Sequence, residues 1–264
     1  MGSITEIITG RATNPAALTA LTANTGDGFA VRSFGEGAIP LLENVWTQQA
    51  TAGIARVRSA RMHDSTQAIR LVANAALPKA LLPLESEQRL YQTDTLTVEI
   101  QGGGAEVDAM ALQMYYANVA SGQARLAMWD QVKPLIQDIL TVQVDVAGPA
   151  TSGDWSAGTN LTNFTDLLRA DTWYAVLGYT LDTASLAVAI RGPDTGNYRV
   201  GGPGILDALE TRDWFVRQSK AHGTPHIPVL NSQNDGATQA FVARVGAGGT
   251  INVSFILARL SAAV

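Results

Sequence analysis

The sequence predicts an all-β chain of two successive antiparallel units joined by a short helical connector. Three observations predict it. Segments rich in Val, Ile, Leu and aromatics recur along the 264 residues, each bounded by turn residues. Helical spacing is confined to a few short stretches, which argues against parallel βαβ units and for sandwiches or barrels. The order of elements also repeats: strands, a helical connector near the middle, then strands again.

The elements follow in order. Before the connector, strands are expected at "GFAVRSF" (28–34), "GIARVRSARM" (53–62), "QAIRLVAN" (67–74), "DTLTVEIQ" (94–101) and "VDAMALQMYYANV" (107–119). After it come "LTVQVDVAG" (140–148), "DTWYAVLGYTL" (171–181), "SLAVAIRG" (185–192), "HIPVLNS" (226–232), "TQAFVARVG" (238–246) and "TINVSFILARL" (250–260). "TLTVEI" alternates as a strand with one wet face does, whereas "AMALQMYY" and "VSFILA" read as buried on both faces. A helix is expected over 14–23, with Asn14 as cap and Pro15 at its first position. Helical turns are also expected at 162–170 and within 202–213. In the connector, Leu126, Trp129, Val132, Ile136 and Leu140 keep helical spacing until Pro134 breaks the helix near Lys133.

The two halves share a plan. "RMHDSTQAIRLV" (61–72) matches "YTLDTASLAVAI" (179–190), placing Asp64 on Asp182. "GGGAEVDAMAL" (102–112) matches "NDGATQAFVAR" (234–244), placing Gly104 on Gly236. The second copy is the longer between these landmarks, and the glycine-rich "IRGPDTGNYRVGGPG" (190–204) falls inside that interval.

Composition excludes several functions. With no cysteine there are no disulfides, thiolate metal sites or cysteine nucleophiles. A net charge of −5, with scattered basic residues, argues against direct nucleic-acid binding. No secretion signal opens the chain, and "INVSFILARL" is too short to span a bilayer. Few Lys among abundant Ala, Gly, Thr and Gln suits extended subunit contacts, and equally suits an ordinary β protein.

Paired β-units at 28–119 and 140–260 with a connector at 121–139 resemble the double jelly-roll major capsid proteins of tailless, often membrane-containing, icosahedral bacteriophages. The resemblance is one of architecture, without a diagnostic motif. It implies an all-β fold of two consecutive antiparallel jelly-roll β-sandwiches, each of eight strands in two packed sheets. It implies an N-terminal arm over 1–25, a first roll over 26–120, a connector over 121–139 and a second roll over 140–264. It also implies a non-enzymatic, self-assembling capsid subunit that forms trimeric tiles of a virion shell put together in the host cytoplasm. Its partners would be further copies of itself, minor capsid or vertex proteins and an inner membrane, with no direct nucleic acid.

The sequence assigns no catalytic, cofactor-binding or metal-binding residue, and the candidates fail on spacing. The P-loop needs a Gly-Lys pair, which the chain lacks, and "GGPG" misses the dinucleotide fingerprint. Backbone amides of Gly202 to Ile205 at a helix start are the residual anion site, and glycines supplying positive φ in a surface loop are the expected reading. "HGTPH" spaces His222 and His226 as two zinc ligands. Gly223 and Pro225 exclude the helical turn that would align the rings, and no third ligand is near in sequence. With His63, these histidines are read as structural. "GDWSAG" is one residue too long for a nucleophile elbow, which leaves Ser156, His222 and Asp154 a remote triad. Glu99 and Glu106, with Asp108 on the face of Glu106, are the carboxylates expected to meet across a hairpin; they would serve a β-sandwich glycoside hydrolase. Among the aromatics Trp46, Trp129, Trp155, Trp173, Trp214, Tyr115, Tyr116, Tyr174 and Tyr179, core packing is the expected use. Trp155 is expected to be exposed, as an interface anchor or a sugar-stacking platform. The alternative function is therefore a carbohydrate-binding or phage receptor-binding β-sandwich.

Overall fold

The computed structural model describes residues 2–49, 51–62, 68–73, 87–120, 124–161, 168–204 and 207–264. Among the described residues nine strands form the first half: β1 (Gly2–Thr13), β2 (Thr19–Ala20), β3 (Thr22–Ala23), β4 (Ile39–Gln48), β5 (Gly53–Arg58), β6 (Ile69–Ala73), β7 (Gln88–Arg89), β8 (Thr97–Gln101) and β9 (Val107–Val119). The second half begins with β10 (Leu126–Ala127), α1 (Trp129–Val132) and a 3₁₀ turn at Lys133–Leu135. It continues through β11 (Ile136–Ala147), β12 (Thr159–Asn160), β13 (Trp173–Leu181), β14 (Ser185–Arg191) and β15 (Val200–Gly204). Two helices follow, α2 (Ala208–Thr211) and α3 (Trp214–His222), and then β16 (Ile227–Asn231), β17 (Gln239–Ala243) and β18 (Thr250–Leu260). Among the described residues no helix is long and apolar enough to cross a membrane.

Strand order makes both halves jelly rolls. The first half pairs its strands as β3-β1-β9-β4-β7 and β2-β8-β5-β6; the second as β10-β16-β13-β18-β11 and β12-β17-β14-β15. With β3 and β10 set aside as added edges, each half has eight strands. In each, one sheet runs first, eighth, third, sixth, and the other runs second, seventh, fourth, fifth. That is the double Greek key of a jelly roll, formed twice. A bulge repeats as well. Glu43 is the extra residue where β4 pairs with β9, and Leu177 is the extra residue where β13 pairs with β18.

The duplication is real, and its register differs from the one read from sequence. Asp182 lies between the third and fourth strands of its roll, whereas position 64 falls in the chain between the fourth and fifth of the first. Gly104 precedes an eighth strand and Gly236 a seventh. Asp and Gly turns recur at many hairpins, so a local match does not index the strand. His63, Asp64 and residues 162–167 of the expected helix lie outside the described residues.

The N-terminal arm is overturned. Residues 2–13 are β1, the strand between β3 and β9, and they match β9 along nearly its whole length. No helix forms over 14–23, where β2 and β3 stand instead and Asn14 takes a positive φ of 53°. The connector is shorter than expected. Pro134 does end α1, and strand resumes at Ile136. Segment 28–34 contributes only an isolated bridge, Ala30 to Thr95.

Four layers result. Met110, Leu112, Met114 and Tyr116 of β9 point into the core of the first roll. Ala109 and Ala111, on the opposite face, join Ala187 and Ala189 of β14 and Ala243 of β17 in a third apolar cluster between the rolls. Val188 and Ile190 of β14 turn the other way, into the second core. Both β9 and β14 are therefore buried on two faces, as the non-alternating, mostly apolar sequence of β9 predicts. β18 alternates between buried and half-buried residues, so the two-faced burial expected of "VSFILA" does not occur.

The glycine-rich stretch is the β14–β15 hairpin. Its strand "VGGPG" tolerates Pro203 because β15 is a sheet edge. A Cβ on Gly202 would meet the Trp214 indole nitrogen and the Tyr179 hydroxyl, so this glycine admits α3 against the sheet. Gly202→Ala is expected to cost about 1–3 kcal/mol by overpacking, read as a lower urea midpoint at unchanged slope.

Candidate functional site

The seam between the rolls gathers two clusters of buried polar side chains, one at each end. Its middle is apolar: Ile7 and Trp46 of the first roll pack with Trp155, Leu186 and Phe241 of the second. Small residues on β9 and β14 let the two sheets approach, and the Trp46 indole N–H donates to the Leu186 carbonyl. Each large side chain removed from water here contributes about 1.5–3 kcal/mol.

At one end of the seam the Asp27 carboxylate accepts four hydrogen bonds. The Thr9 N–H and hydroxyl each reach it at 2.8 Å, Trp155 Nε1 at 2.7 Å and the Arg199 guanidinium at 2.7 Å. Burial pushes the Asp27 carboxyl above its ordinary range, and Arg199 offsets part of that. The Arg199 guanidinium also lies 4.9 Å from the Trp155 ring centre and 5.2 Å from that of Phe241. Alongside, Arg11 pairs with Asp154 at 2.6 Å across the seam. A polar cleft of about 230 Å³ opens beside this group, lined in part by Arg32, Arg191, Asn197 and Arg199. The glycine-rich hairpin thus forms one wall of a cleft in which Arg32 and Arg199 are already neutralised by Glu6 and Asp27.

At the other end stands a histidine–carboxylate cluster. α3 ends at His222, and Gly223 adopts φ 64°, a left-handed cap that reverses the chain. The reversal sets the His226 ring 5.3 Å from that of His222, and Tyr115 of β9 stacks on His226 at 4.9 Å. The first roll supplies the acids. Because Glu43 is a bulge residue, it and Asn44 both reach the seam. His226 Nε2 donates to both Glu43 oxygens at 2.8 and 2.9 Å, and Gln113 Nε2 donates to Oε2 at 3.1 Å. Asn44 Nδ2 donates to Gln113 and to Gln218 of α3. Glu87, just before β7, lies 3.5 Å from His222 Nδ1.

Burial and charge set the titration of this cluster. Burial works against a charged His226, but the Glu43 carboxylate and its hydrogen bonds prevail and raise the imidazole above 6.5. Burial holds His222 below 6.5, and the neighbouring His226 adds to that. Burial also pushes the Tyr115 hydroxyl up to about 12.

The structure places the sequence candidates as follows. His222 and His226 do come together, through the left-handed turn at Gly223 rather than along a helix. Their acidic neighbours are distant in sequence, so no local motif announces them. The triad does not assemble: Ser156 Oγ accepts from the Val242 N–H, Asp154 pairs with Arg11, and His222 faces Glu87. Glu99 and Glu106 do not face each other as a pair. Glu99 is held by Arg56 and Arg58 of β5, while Glu106 accepts from the Gly103 N–H. Asp108 is fully buried. Gly202 sits in the β15 ladder, so no helix start presents its amide to an anion; Ile205 lies outside the described residues. Trp155 is 6% exposed and its indole is engaged, so it is an anchor between rolls and offers no sugar platform. Sequence reasoning missed Glu43, Glu87, Asp27 and Arg199. The one signal for Glu43 is the Glu43-Asn44 polar pair inside the otherwise apolar "IPLLENVW".

No family model and no curated protein matches the sequence. Solved structures similar to it include the PBSX exported protein XepA, at 9% identity over 93% of this chain and 88% of that one, TM-score 0.20. Another is YhaK from Escherichia coli, at 9% identity over 95% and 85%, TM-score 0.23. A third is the major capsid protein P2 from bacteriophage PM2, at 9% identity over 98% of both chains, TM-score 0.21. These are distant likenesses of architecture, and TM-scores this low carry no argument about function.

Two outcomes are expected for the buried pair. His226→Ala strands Glu43 as an uncompensated buried charge, with a loss of about 3–5 kcal/mol in chemical denaturation. His226 has a folded-state pKa above its unfolded value. Its stabilisation is therefore complete below pH 6.5 and is lost as pH rises through the raised value. Thermal midpoints taken with a chelator present should fall with rising pH above 6.5 in the wild type, and less steeply in His226→Gln.

Proposed function

We propose that this chain is a structural, non-enzymatic building block: a self-assembling capsid subunit that forms trimeric tiles of an icosahedral virion shell. The observation that carries the proposal is the tandem pair of jelly rolls with the same strand order, packed sheet on sheet. Such a block is doubly thick and presents its working surfaces outward. Assembly of this kind depends on complementary surfaces repeated by symmetry. β11 supports the reading: it is a twelve-residue strand at the edge of an outer sheet, where Ile139 is exposed. A long edge with an apolar side chain is a surface onto which another chain can pair.

On this reading the partners are further copies of the chain, then minor capsid or vertex proteins and an inner membrane. The acidic net charge is consistent with a shell that leaves genome contact to another component. Light scattering of the purified chain should give a trimer, and negative-stain micrographs at high concentration should show closed particles or sheets. A strict monomer with no particle at any concentration would refute the proposal.

A further inference from the structure

We propose that the roll–roll seam holds one divalent transition-metal ion of the zinc class, ligated by Glu43, Glu87 and His222. One ligand atom from each residue lies within 4.8 Å of the other two. Tetrahedral zinc with bonds of about 2.0–2.2 Å sets its ligand atoms about 3.3–3.5 Å apart, so small side-chain rotations close the site. His222 Nδ1 and Glu87 Oε2 already stand at 3.5 Å.

The ring is buried with one nitrogen toward the site. The His222 side chain is 1% exposed and its Nδ1, the nitrogen nearest the ligand set, faces the Glu87 carboxylate; among the described residues its Nε2 has no hydrogen-bond partner that would fix the ring in another direction. Burial keeps this imidazole neutral, the form that donates a lone pair to a metal.

The surroundings support the carboxylate ligands. Glu43 is held in place by His226 Nε2, which bridges its two oxygens, and by Gln113 Nε2, hydrogen bonds of the kind that orient a metal-bound carboxylate. Glu87 is 44% exposed and supplies an access route from solvent. One imidazole with two carboxylates suits zinc, cobalt or a similar ion; calcium and magnesium take all-oxygen sets. Three protein ligands leave a fourth position for water. Since Glu43 and Glu87 belong to the first roll and His222 to the second, the ion ties the two rolls together. It binds the folded chain alone and therefore stabilises it by mass action.

The test uses the full chain and does not depend on whether it assembles. After chelation and dialysis, Co²⁺ is titrated while visible absorption is followed, and Zn²⁺ is then added as competitor. The expected result is one Co²⁺ per chain with the strong absorption of a low-coordinate site, displaced by Zn²⁺, and a thermal midpoint raised by Zn²⁺. His222→Ala and Glu87→Gln should each weaken Co²⁺ binding by about tenfold or more, with Glu36→Gln, on an exposed loop, unchanged. Glu87 is half-exposed, so its variant keeps the test decisive even where His222→Ala fails to fold. The absence of a cobalt band, or wild-type affinity in Glu87→Gln, would overturn the proposal.

Discussion

Everything in this molecule defers to the contact of two sheet faces at the seam between the rolls. A sheet packed on both sides has no wet face on which to place polar groups, so β9 and β14 must be apolar or satisfied at nearly every position. Alanines at 109, 111, 187, 189 and 243 keep the layers close. Where the carboxylates Asp27 and Glu43 enter, a partner from the other roll meets each of them. Interiors pack densely enough that neither a gap nor an unpaired charge is tolerated cheaply.

That constraint makes the two halves interdependent. The first roll carries buried acids toward the seam, Asp27 and Glu43, and the second roll provides their cations, Arg199 and His226. Glu6 is the contrast. It sits on the inner side of β1, and its partners Arg32 and Tyr116 come from its own roll. Separated from the second roll, the first would expose these two carboxylates and the apolar seam around them to water and lose the cations that face them. A buried ion pair is weak as a source of net stability and strong as a determinant of register, because the misdocked alternatives leave charges unpaired.

Duplication supplied the frame, and divergence supplied the seam. The same bulge in the third strand of each roll carries Glu43 in one and Leu177 in the other. In the second roll the bulged residue joins an apolar core; in the first it aims a carboxylate at the neighbouring roll. A bulge re-aims one side chain without disturbing the strands around it, which is how one backbone device serves two purposes. The glycine-rich hairpin shows similar specialisation. It holds Arg199 and Tyr198 at the seam, where Tyr198 packs on Phe34, and its Gly202 admits the Trp214 helix.

Features under the control of local pattern were readable in the chain alone. Strands β9, β13, β14, β17 and β18, the break at Pro134 and the division into two β-rich halves follow from side-chain type and period. Strands β1, β4 and β15 went unread, since seam-facing polar residues break the apolar pattern of the first two and glycine and proline disguise the third. Packing in three dimensions alone settles which faces meet, which strand of one roll corresponds to which strand of the other, and which charges pair. Glu43 and His226 are 183 residues apart. No local periodicity records such a contact, because it exists only once two sheets have been brought face to face.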